Sequence, residues 1–311
     1  MVRFIVRRLA YTVVALLGAT LLVFMLSRTL GDPLTLYAQG GGYGLTPEMY
    51  ERLRKELHLD KHPIVQYGYW LRDVGRGRLG ESLLGRQPVS KLLRERTPNT
   101  LKLGLAAWVF SIVVGVPLGV LSAVRRASGW DYLGRGFALL GQAAPPFWVG
   151  IMGILVFAVH LRWLPVGTMG EGLAVRHFIM PTVTLGWLAA ASYLRLTRSA
   201  MLEVLDSEYV KFARAKGVGR WVVVWKHAFR NALIPPLTLS ALVLAGFITG
   251  TVVVETVFSW PGLGRLAVEA VWNNDFPVMT GCVLLFTAMY LGVNLLTDIA
   301  YAYIDPRIRY Q

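Results

Sequence analysis

The sequence has few charged residues and a single cysteine. Asp, Glu, Lys and Arg make up 16% of its 311 residues, against about a quarter in soluble globular domains. The one cysteine, Cys282, excludes a disulfide framework within the chain and a cluster of thiolate metal ligands. Together with a hydrophobic content of 55% and a mean hydropathy of +0.50, the scarcity of charge indicates a membrane protein.

The sequence also lacks the motifs of several enzyme classes. Gly-Lys never occurs as a pair, so the chain has no GxxxxGK[ST] loop with which to bind and hydrolyse a nucleoside triphosphate. Neither HExxH nor GxSxG is found. His58 and His62 have the spacing of a metal site, but Pro63 follows at once and no acidic residue shares their face, so we interpret them as surface histidines. We expect no catalytic residue, metal or cofactor in this chain.

Long apolar stretches are what the sequence has in abundance. Crossing a hydrocarbon core takes about 17 to 25 residues of helix, and buried helices of a soluble protein would need polar faces that these stretches lack. The first stretch follows three arginines, as a signal peptide does, but its length and the lack of a cleavage site favour a retained anchor. Six stretches are free of charged residues, the fourth being the weakest: Leu9–Leu26, Leu103–Val124, Gly136–Val159, Phe178–Leu194, Ala232–Val254 and Phe276–Thr297.

The net charge of +14 is distributed unevenly between the two sides of the predicted bundle. With the N-terminus inside, the short cytoplasmic segments hold 16 Lys and Arg, eight of them from Arg195 to Arg230, and the short outer segments hold three. This bias predicts an N-terminus and a C-terminus that are both cytoplasmic, and it accounts for the charge without nucleic-acid binding. Glu255 and Asp298 lie near span ends, so the lack of a charge at mid-membrane argues against a proton-coupled pump.

The pattern along the chain predicts four regions. Residues 1–30 carry the first span, 31–98 form an extracytoplasmic loop, 99–304 form the core with spans two to six and a cytoplasmic loop at 200–231, and 305–311 are a cytoplasmic tail. The long loop is expected to contain a helix capped by Thr46 and beginning at Pro47, and a second helix from about Pro88 to Arg96.

Glycine and proline recur inside the predicted spans. They occur at Gly115 and Gly119, at Pro145 and Pro146, and at Gly246 and Gly250. In a bilayer the backbone groups that proline frees need partners in protein or water, and small residues four apart let helices approach closely. We therefore expect a bundle with a mobile interior. The polar or kinked positions expected to line a translocation pathway are Gln142, Pro146, Thr249 and Asn294.

A basic strip, residues 208–236, reads as two short helices joined at a glycine. Asp206 or Ser207 can cap the first helix, Glu208 suits its first turn, and Gly217 is the expected left-handed stop. Its predicted exposed face carries Tyr209, Phe212, Ala213 and Lys216; the second helix starts near Arg220 with Trp221, Val224, Trp225 and Ala228 on one side, and Pro235 and Pro236 end it. A loop that contacts anionic lipid would explain the charge, whereas the aromatic face favours docking to a partner protein.

These residues resemble the EAA loop of ABC importer permeases, in the form of the dipeptide and oligopeptide branch. The resemblance is carried by ARAKG and HAFRNALIP in the strip, and by LGDP, VGVPLGVLSAVRR, AAPPFWVGI, ETVFSWPGLGRLAVEAV and the terminal DPRIR elsewhere. It departs from the motif at Lys211, where the glutamate that names the motif would stand. The resemblance implies an all-α polytopic membrane protein of six transmembrane helices with the type I ABC importer permease fold, and specifically a B-type subunit.

The same resemblance implies partners and a function. This subunit would form half of a translocation pathway in a bacterial inner membrane, with a C-type permease, two ATP-binding-cassette ATPase subunits and an extracytoplasmic solute-binding protein. The coupling positions it implies are Glu208, Tyr209, Ala213, Arg214 and Gly217. Peptides are the expected solute, with nickel, glutathione or oligosaccharide as alternatives. A stand-alone carrier or channel, or a receptor-like membrane protein, are rival interpretations; a carrier would be expected to show an intramembrane carboxylate or inverted repeats.

Overall fold

The computed structural model describes residues 2–29, 47–56, 58–170 and 174–304. Within them the regular structure is helical, apart from one isolated β-bridge between Glu81 and Pro88. Two π-helical stretches, Ile154–His160 and Val223–Phe229, interrupt the α-helical pattern. The α-helices are α1 Val2–Thr29, α2 Pro47–Glu56, α3 Pro63–Gly75, α4 Val89–Val124, α5 Gly129–Ala143, α6 Pro146–Gly153, α7 Val175–Leu205, α8 Glu208–Ala215, α9 Arg220–Val222, α10 Arg230–Ala232, α11 Ile234–Gly250, α12 Val252–Val257, α13 Leu263–Trp272 and α14 Phe276–Ile304.

The architecture confirms an all-α polytopic membrane protein. In the described part of the chain, α1, α4 and α14 are long and apolar enough to cross a membrane, and two bent helix pairs raise the number to five if each pair is one span. The stretch Phe178–Leu194 lies inside α7, a helix of 31 residues that is not among these five. This is the stretch that the sequence marks as the weakest, because it is the shortest of the six.

The third predicted span is not one straight helix. Residues 129–143 and 146–160 meet at an angle of 107°. Ala144 is extended, with φ −86° and ψ 123°, because the ring of a following proline disfavours the α conformation at the residue before it. Pro145 is the N-cap of α6 and Pro146 its first residue, so the apolar stretch from Gly136 to Val159 is interrupted at the two prolines that the sequence marks as helix-disturbing. The bend before α11 is smaller, 50°, and Pro235 and Pro236 lie in the first turn of α11 as predicted.

The chain divides into two compact units, one of Met1–Thr100 with Pro261–Gln311 and one of Leu101–Trp260. In the first unit α14 packs against α1 and α13. Its core contains the buried Cys282 with Val89 and Leu263. Ser82 donates a hydrogen bond of 2.5 Å to Asp275, which ties the segment before α4 to the start of α14.

The long segment after α1 contains three helical stretches among its described residues. As predicted, α2 begins at Pro47, and the helix expected from about Pro88 is the first part of α4, which continues without a break to Val124. An additional helix, α3, was not expected; the hydroxyl of its Tyr67 lies 2.9 Å from that of Thr20 in α1. The predicted Thr46 cap, the glycine-rich start of the loop and the tail 305–311 lie outside the described residues.

In the second unit α4 and α7 pack in close contact at glycines. A Cβ at Gly115 would lie 2.4 Å from the carbonyl oxygen of Ala190, and one at Gly119 would lie 2.7 Å from that of Leu194. A side chain larger than hydrogen would therefore push the two helices apart. The prediction of close approach at this glycine pair is confirmed, whereas at Gly246 a Cβ would meet no atom of the described chain within 4 Å.

Candidate coupling site

The first helix of the basic strip is bounded by the residues that the sequence indicates. Ser207 occupies the N-cap position with φ −70° and ψ 152°, although its hydroxyl donates to the carbonyl of Val204 at 2.5 Å instead of capping α8. At the other end Gly217 has φ +77°. Val218 N–H donates to Ala213 O at 3.2 Å and Gly217 N–H to Arg214 O at 2.9 Å, which is the Schellman pattern of a helix end. The predicted left-handed stop at Gly217 is confirmed.

One face of α8 is anchored in the second unit. Val210 is completely buried and belongs to a cluster with Met201 and Leu205 of α7 and Val120 and Ala123 of α4. This short helix therefore rests on the ends of two long ones. Burial of one valine contributes about 1.5 to 3 kcal/mol to the docking.

The opposite face of α8 is open and partly aromatic. Phe212 is 62% exposed, and Lys216 Nζ lies 4.6 Å above the centre of its ring. Glu208 and Lys211 form an exposed ion pair at 2.8 Å, which adds little to stability because water screens it. Ala213 is half-buried and Arg214 is exposed. The structure thus brings four of the five predicted coupling positions onto α8, and Gly217 follows two residues beyond its end.

Tyr209 does more than extend the aromatic face. Its hydroxyl donates to the carbonyl of His227 at 3.1 Å and accepts a hydrogen bond from Asn231 Nδ2 at 2.9 Å. Asn231 Nδ2 also lies 3.0 Å from the same carbonyl. Tyr209 therefore fastens α8 to the return segment, residues 220–232, and half of its surface stays exposed. Sequence reasoning missed Asn231, although the residue lies inside the HAFRNALIP motif.

The return segment begins at Arg220 as predicted, but the expected grouping of its side chains is wrong. Val224 and Ala228 are buried, whereas Trp221 and Trp225 are exposed. The cause is the π-helical stretch Val223–Phe229, whose i→i+5 hydrogen bonds change the angle between successive side chains from that of an α-helix. The rings of Trp221 and Trp225 are in contact, with centres 5.4 Å apart and planes inclined at 54°, and they extend the open aromatic surface.

A cavity of about 420 Å³ lies beside the elbow between α8 and α9. Val124, Leu205 and Val223 supply apolar walls, and Arg214 and Arg220 supply positive charge. Arg220 Nη2 donates to the carbonyl of Val124 at 3.4 Å, which closes the last turn of α4. The site as a whole is basic and partly aromatic, and Val210 anchors it in a buried cluster.

The four predicted pathway positions are divided between the two units. Gln142, Pro146 and Thr249 belong to the second unit and Asn294 to the first. Gln142 and Thr249 are half-buried and Pro146 is exposed. Gln142 Nε2 is buried without a hydrogen-bond partner among the described residues, while Thr249 Oγ1 donates to Gly246 O at 3.3 Å. A pocket of about 390 Å³ opens between α6 and α7, lined mainly by apolar side chains that include Trp148, Phe157 and Trp187.

The paired histidines have separate environments. The ring of His58 stacks on Tyr69 with centres 4.1 Å apart, and His62 precedes α3 and accepts from Ile64 N–H at 3.4 Å. No group of three His, Cys, Asp or Glu among the described residues could hold a metal ion.

Comparison with known proteins supplies the context for this geometry. Residues 115–310 match the family described as binding-protein-dependent transport system inner membrane component, and residues 1–104 match the N-terminal part of such membrane components. The dipeptide transport system permease protein DppB of Escherichia coli K12 is 39% identical over 340 residues, which cover all of both chains. A Brucella abortus protein provisionally named a peptide transport system permease is 40% identical over 316 residues, again covering all of both.

A solved structure shares the fold. A chain of the inward-facing MetNI methionine ABC transporter superposes with a TM-score of 0.56 and 20% identity. The match covers 69% of this chain and 96% of that one. At this identity the likeness shows the fold alone, and that fold is the one expected from the sequence.

Proposed function

This chain belongs to the family of binding-protein-dependent transport system inner membrane components, and we propose that it is the permease subunit of an ABC importer for dipeptides and oligopeptides. The observation that supports the peptide substrate is the 39% identity, over the full length of both chains, to a dipeptide permease. Among alternatives within this architecture, nickel, glutathione and oligosaccharide gain no support from the relatives compared.

The proposed energy source lies in other subunits. The sequence has no phosphate-binding loop, and a permease that moves solute uphill needs coupling to an energy-yielding reaction. We infer that two ATP-binding-cassette ATPases supply it, that a C-type permease completes the pathway, and that an extracytoplasmic binding protein delivers the peptide. In this proposal the strip and both chain termini lie on the cytoplasmic face of the inner membrane, because Lys and Arg are concentrated in the segments on that side.

In this proposal α8 is the part of the chain that the ATPases contact. Phe212 and Arg214 present an apolar ring and a positive charge on the open side, and Val210 holds the closed side in the bundle. A displacement of α8 moves the return segment with it, because the Tyr209 hydroxyl is hydrogen-bonded to His227 and Asn231 of that segment. The force therefore passes to the ends of α4 and α7. Glu208, Ala213 and Gly217 complete the proposed contact.

The pathway is proposed to pass near the positions with polar or broken backbone. Gln142 lies in the last turn of α5, two residues before the break at Ala144, and its buried Nε2 has no hydrogen-bond partner among the described residues. Thr249 and Asn294 are the corresponding proposed positions on α11 and α14. The proposed domain organisation places all four in the core, residues 99–304, with the segment 31–98 outside and the tail 305–311 in the cytoplasm.

Reconstitution tests the proposed function directly. The chain, purified from mild detergent with a tag, should co-elute with an ATPase and a second permease. In proteoliposomes this complex should accumulate a labelled dipeptide only when ATP and the binding protein are both supplied, and unlabelled oligopeptides should compete with the label. Uptake by the purified chain alone would contradict the proposal in favour of a self-sufficient carrier. Competition by nickel, glutathione or an oligosaccharide, but not by peptides, would replace the substrate.

A further inference from the structure

A fully buried carboxylate joins three helices close to the coupling site. Asp131, in the first turn of α5, has no exposed surface. Its Oδ1 accepts hydrogen bonds from Ser122 Oγ of α4 at 2.6 Å and from Arg198 Nε of α7 at 2.8 Å. Its Oδ2 accepts from Arg198 Nη2 at 3.0 Å. Two parallel bonds from one guanidinium fix both the distance and the angle between the groups.

The remaining contacts satisfy the same carboxylate. Ala127 N–H donates to Oδ2 at 3.0 Å and closes the turn between α4 and α5. Arg135 lies farther away, with bonds of 3.2 and 3.4 Å, and its side chain is 53% exposed, against 21% for Arg198. Water screens Arg135 more than Arg198, so the dominant partner is on α7. A Cβ at Gly134 would lie 3.3 Å from Ser122 Oγ, which shows how closely α5 approaches α4 here.

A buried ion pair of this kind adds little to stability compared with apolar packing, because the removal of both charges from water offsets their attraction. Its geometry is nevertheless much more specific than apolar packing, since a guanidinium fork meets a carboxylate in one orientation. The group of Ser122, Asp131 and Arg198, which we call the three-helix lock, therefore defines one relative position of α4, α5 and α7.

The three-helix lock lies on the same helices that support α8. From Arg198, α7 continues through Met201 to its end at Leu205, two residues before Ser207, the N-cap of α8. Met201 and Leu205 pack in one cluster with Val210 of α8 and with residues near the end of α4. Apolar side chains at these contacts can slide over one another, whereas the lock admits no sliding without breaking charge-assisted bonds.

We propose that Asp131 is a positioning residue for energy coupling. Its ion pair with Arg198 keeps α4, α5 and α7 together, so that a displacement of α8 moves all three helices instead of being absorbed where they touch. This inference rests on the proposed function, in which ATPase subunits displace α8. It adds a residue on α5, outside the basic strip, to the parts of the chain on which transport depends.

The test is the ratio of peptide taken up to ATP hydrolysed by the reconstituted complex. Asp131→Asn keeps the size of the side chain but removes its charge, and we expect the ratio to fall by about tenfold, within the range known for residues on coupling networks. Arg198→Lys keeps the charge but loses the fork, so its loss should be smaller. Ser122→Ala removes one hydrogen bond and should have the smallest effect. A residue that serves stability alone would lower the yield of assembled complex and leave this ratio unchanged.

Arg126→Gln is the matched control. Arg126 faces Asp206 across 3.9 Å, and both side chains are more than half exposed. Loss of this neighbouring arginine should leave the ratio at its wild-type value. Wild-type ratios in assembled Asp131→Asn and Arg198→Lys complexes would overturn the proposal. If Asp131→Asn fails to assemble, Arg198→Lys and Ser122→Ala decide the question. A lowered ratio of uptake to ATP hydrolysis in these variants supports the three-helix lock, and an unchanged ratio rejects it. A wild-type complex without ATP-driven uptake would refute the proposed function, whereas a transporting wild type with unchanged ratios in the lock variants would refute the lock alone, so the two failures are distinguishable.

Discussion

Substitution of Gly217 can separate backbone strain from contact with a partner. Gly217 has φ +77°, and a Cβ there would meet no atom of the described chain within 4 Å. Alanine therefore adds no clash within the chain, but an L-residue in the left-handed region costs roughly 1–2 kcal/mol. Since 1.4 kcal/mol corresponds to a factor of ten, Gly217→Ala should shift the equilibrium between the closed and frayed helix end by about tenfold.

Gly217→Asn and Gly217→Trp complete the series. Asparagine enters the left-handed region more readily than alanine, so Gly217→Asn should disturb the helix end less. Tryptophan carries the same backbone strain as alanine, and its Cβ likewise meets no atom of the described chain within 4 Å. If ATPase subunits cover the elbow, however, the indole will collide with them. We therefore expect Trp to abolish ATP-coupled uptake, Ala to lower it, and Asn to lower it least.

Two measurements check this ordering. Hydrogen exchange at the amide of Val218, which donates to Ala213 O, reports the helix end directly and should accelerate by about tenfold in Gly217→Ala. Uptake and ATP hydrolysis by the assembled complex report coupling, with membrane insertion measured for each variant. Equal uptake for Ala and Trp would refute the partner contact at the elbow. Faster exchange in Asn than in Ala would refute the assignment of the loss to backbone strain.

Three further predictions address the two faces of α8, the Tyr209 hydrogen bonds and the proposed pathway. Val210→Ala should destabilise the chain by roughly 1.5 to 3 kcal/mol because it removes buried apolar surface. Phe212→Ala, at an exposed ring, should preserve thermal stability and lower ATP-coupled uptake. The reverse pattern would contradict the assignment of Val210 to the buried face and Phe212 to the open face. Tyr209→Phe should lower the free energy that holds α8 to the return segment by about 1 kcal/mol and so speed tryptic cleavage in the elbow about fivefold. An unchanged rate would show that the Tyr209 hydroxyl does not hold the two segments together. Single cysteines at the four proposed pathway positions, with Cys282 replaced, should react with a maleimide in a manner that peptide blocks; absence of labelling in both transport states would remove them.

The local features of the coupling site could be predicted from the sequence because they depend on neighbouring residues. A glycine after an amphipathic turn indicates a left-handed stop, and Gly217 has that conformation. Paired prolines cannot continue a helix, so they indicate a break at Pro145 and Pro146 and at Pro235 and Pro236. These rules give the position of a break without its angle, and so the 107° bend between α5 and α6 came only from the structure.

Features that depend on distant residues were not predictable in this way. Asp131 and Arg198 are 67 residues apart, and Ser82 and Asp275 are 193 apart. Each of these side chains is an ordinary polar residue in its own segment, and only the packing of the helices brings the partners together. The π-helical stretch at Val223–Phe229 is a different case. Its sequence fits an α-helix, and the altered winding separates the buried Val224 and Ala228 from the exposed Trp221 and Trp225.

The dependence of α8 on its surroundings argues for its role in coupling. Isolated helices shorter than about 12 to 15 residues are marginal in water, and α8 has eight. It therefore persists because Val210 is buried against α4 and α7, Tyr209 is fastened to the return segment, and Gly217 closes its end. A helix held in this way cannot shift independently: any partner that moves it must move these contacts with it or unfold it. Coupling through α8 is thus expected to fail in two distinguishable ways. Variants of Gly217 or Val210 should lose the helix itself, and variants of Phe212 should keep the helix but lose its contact with the partner subunit.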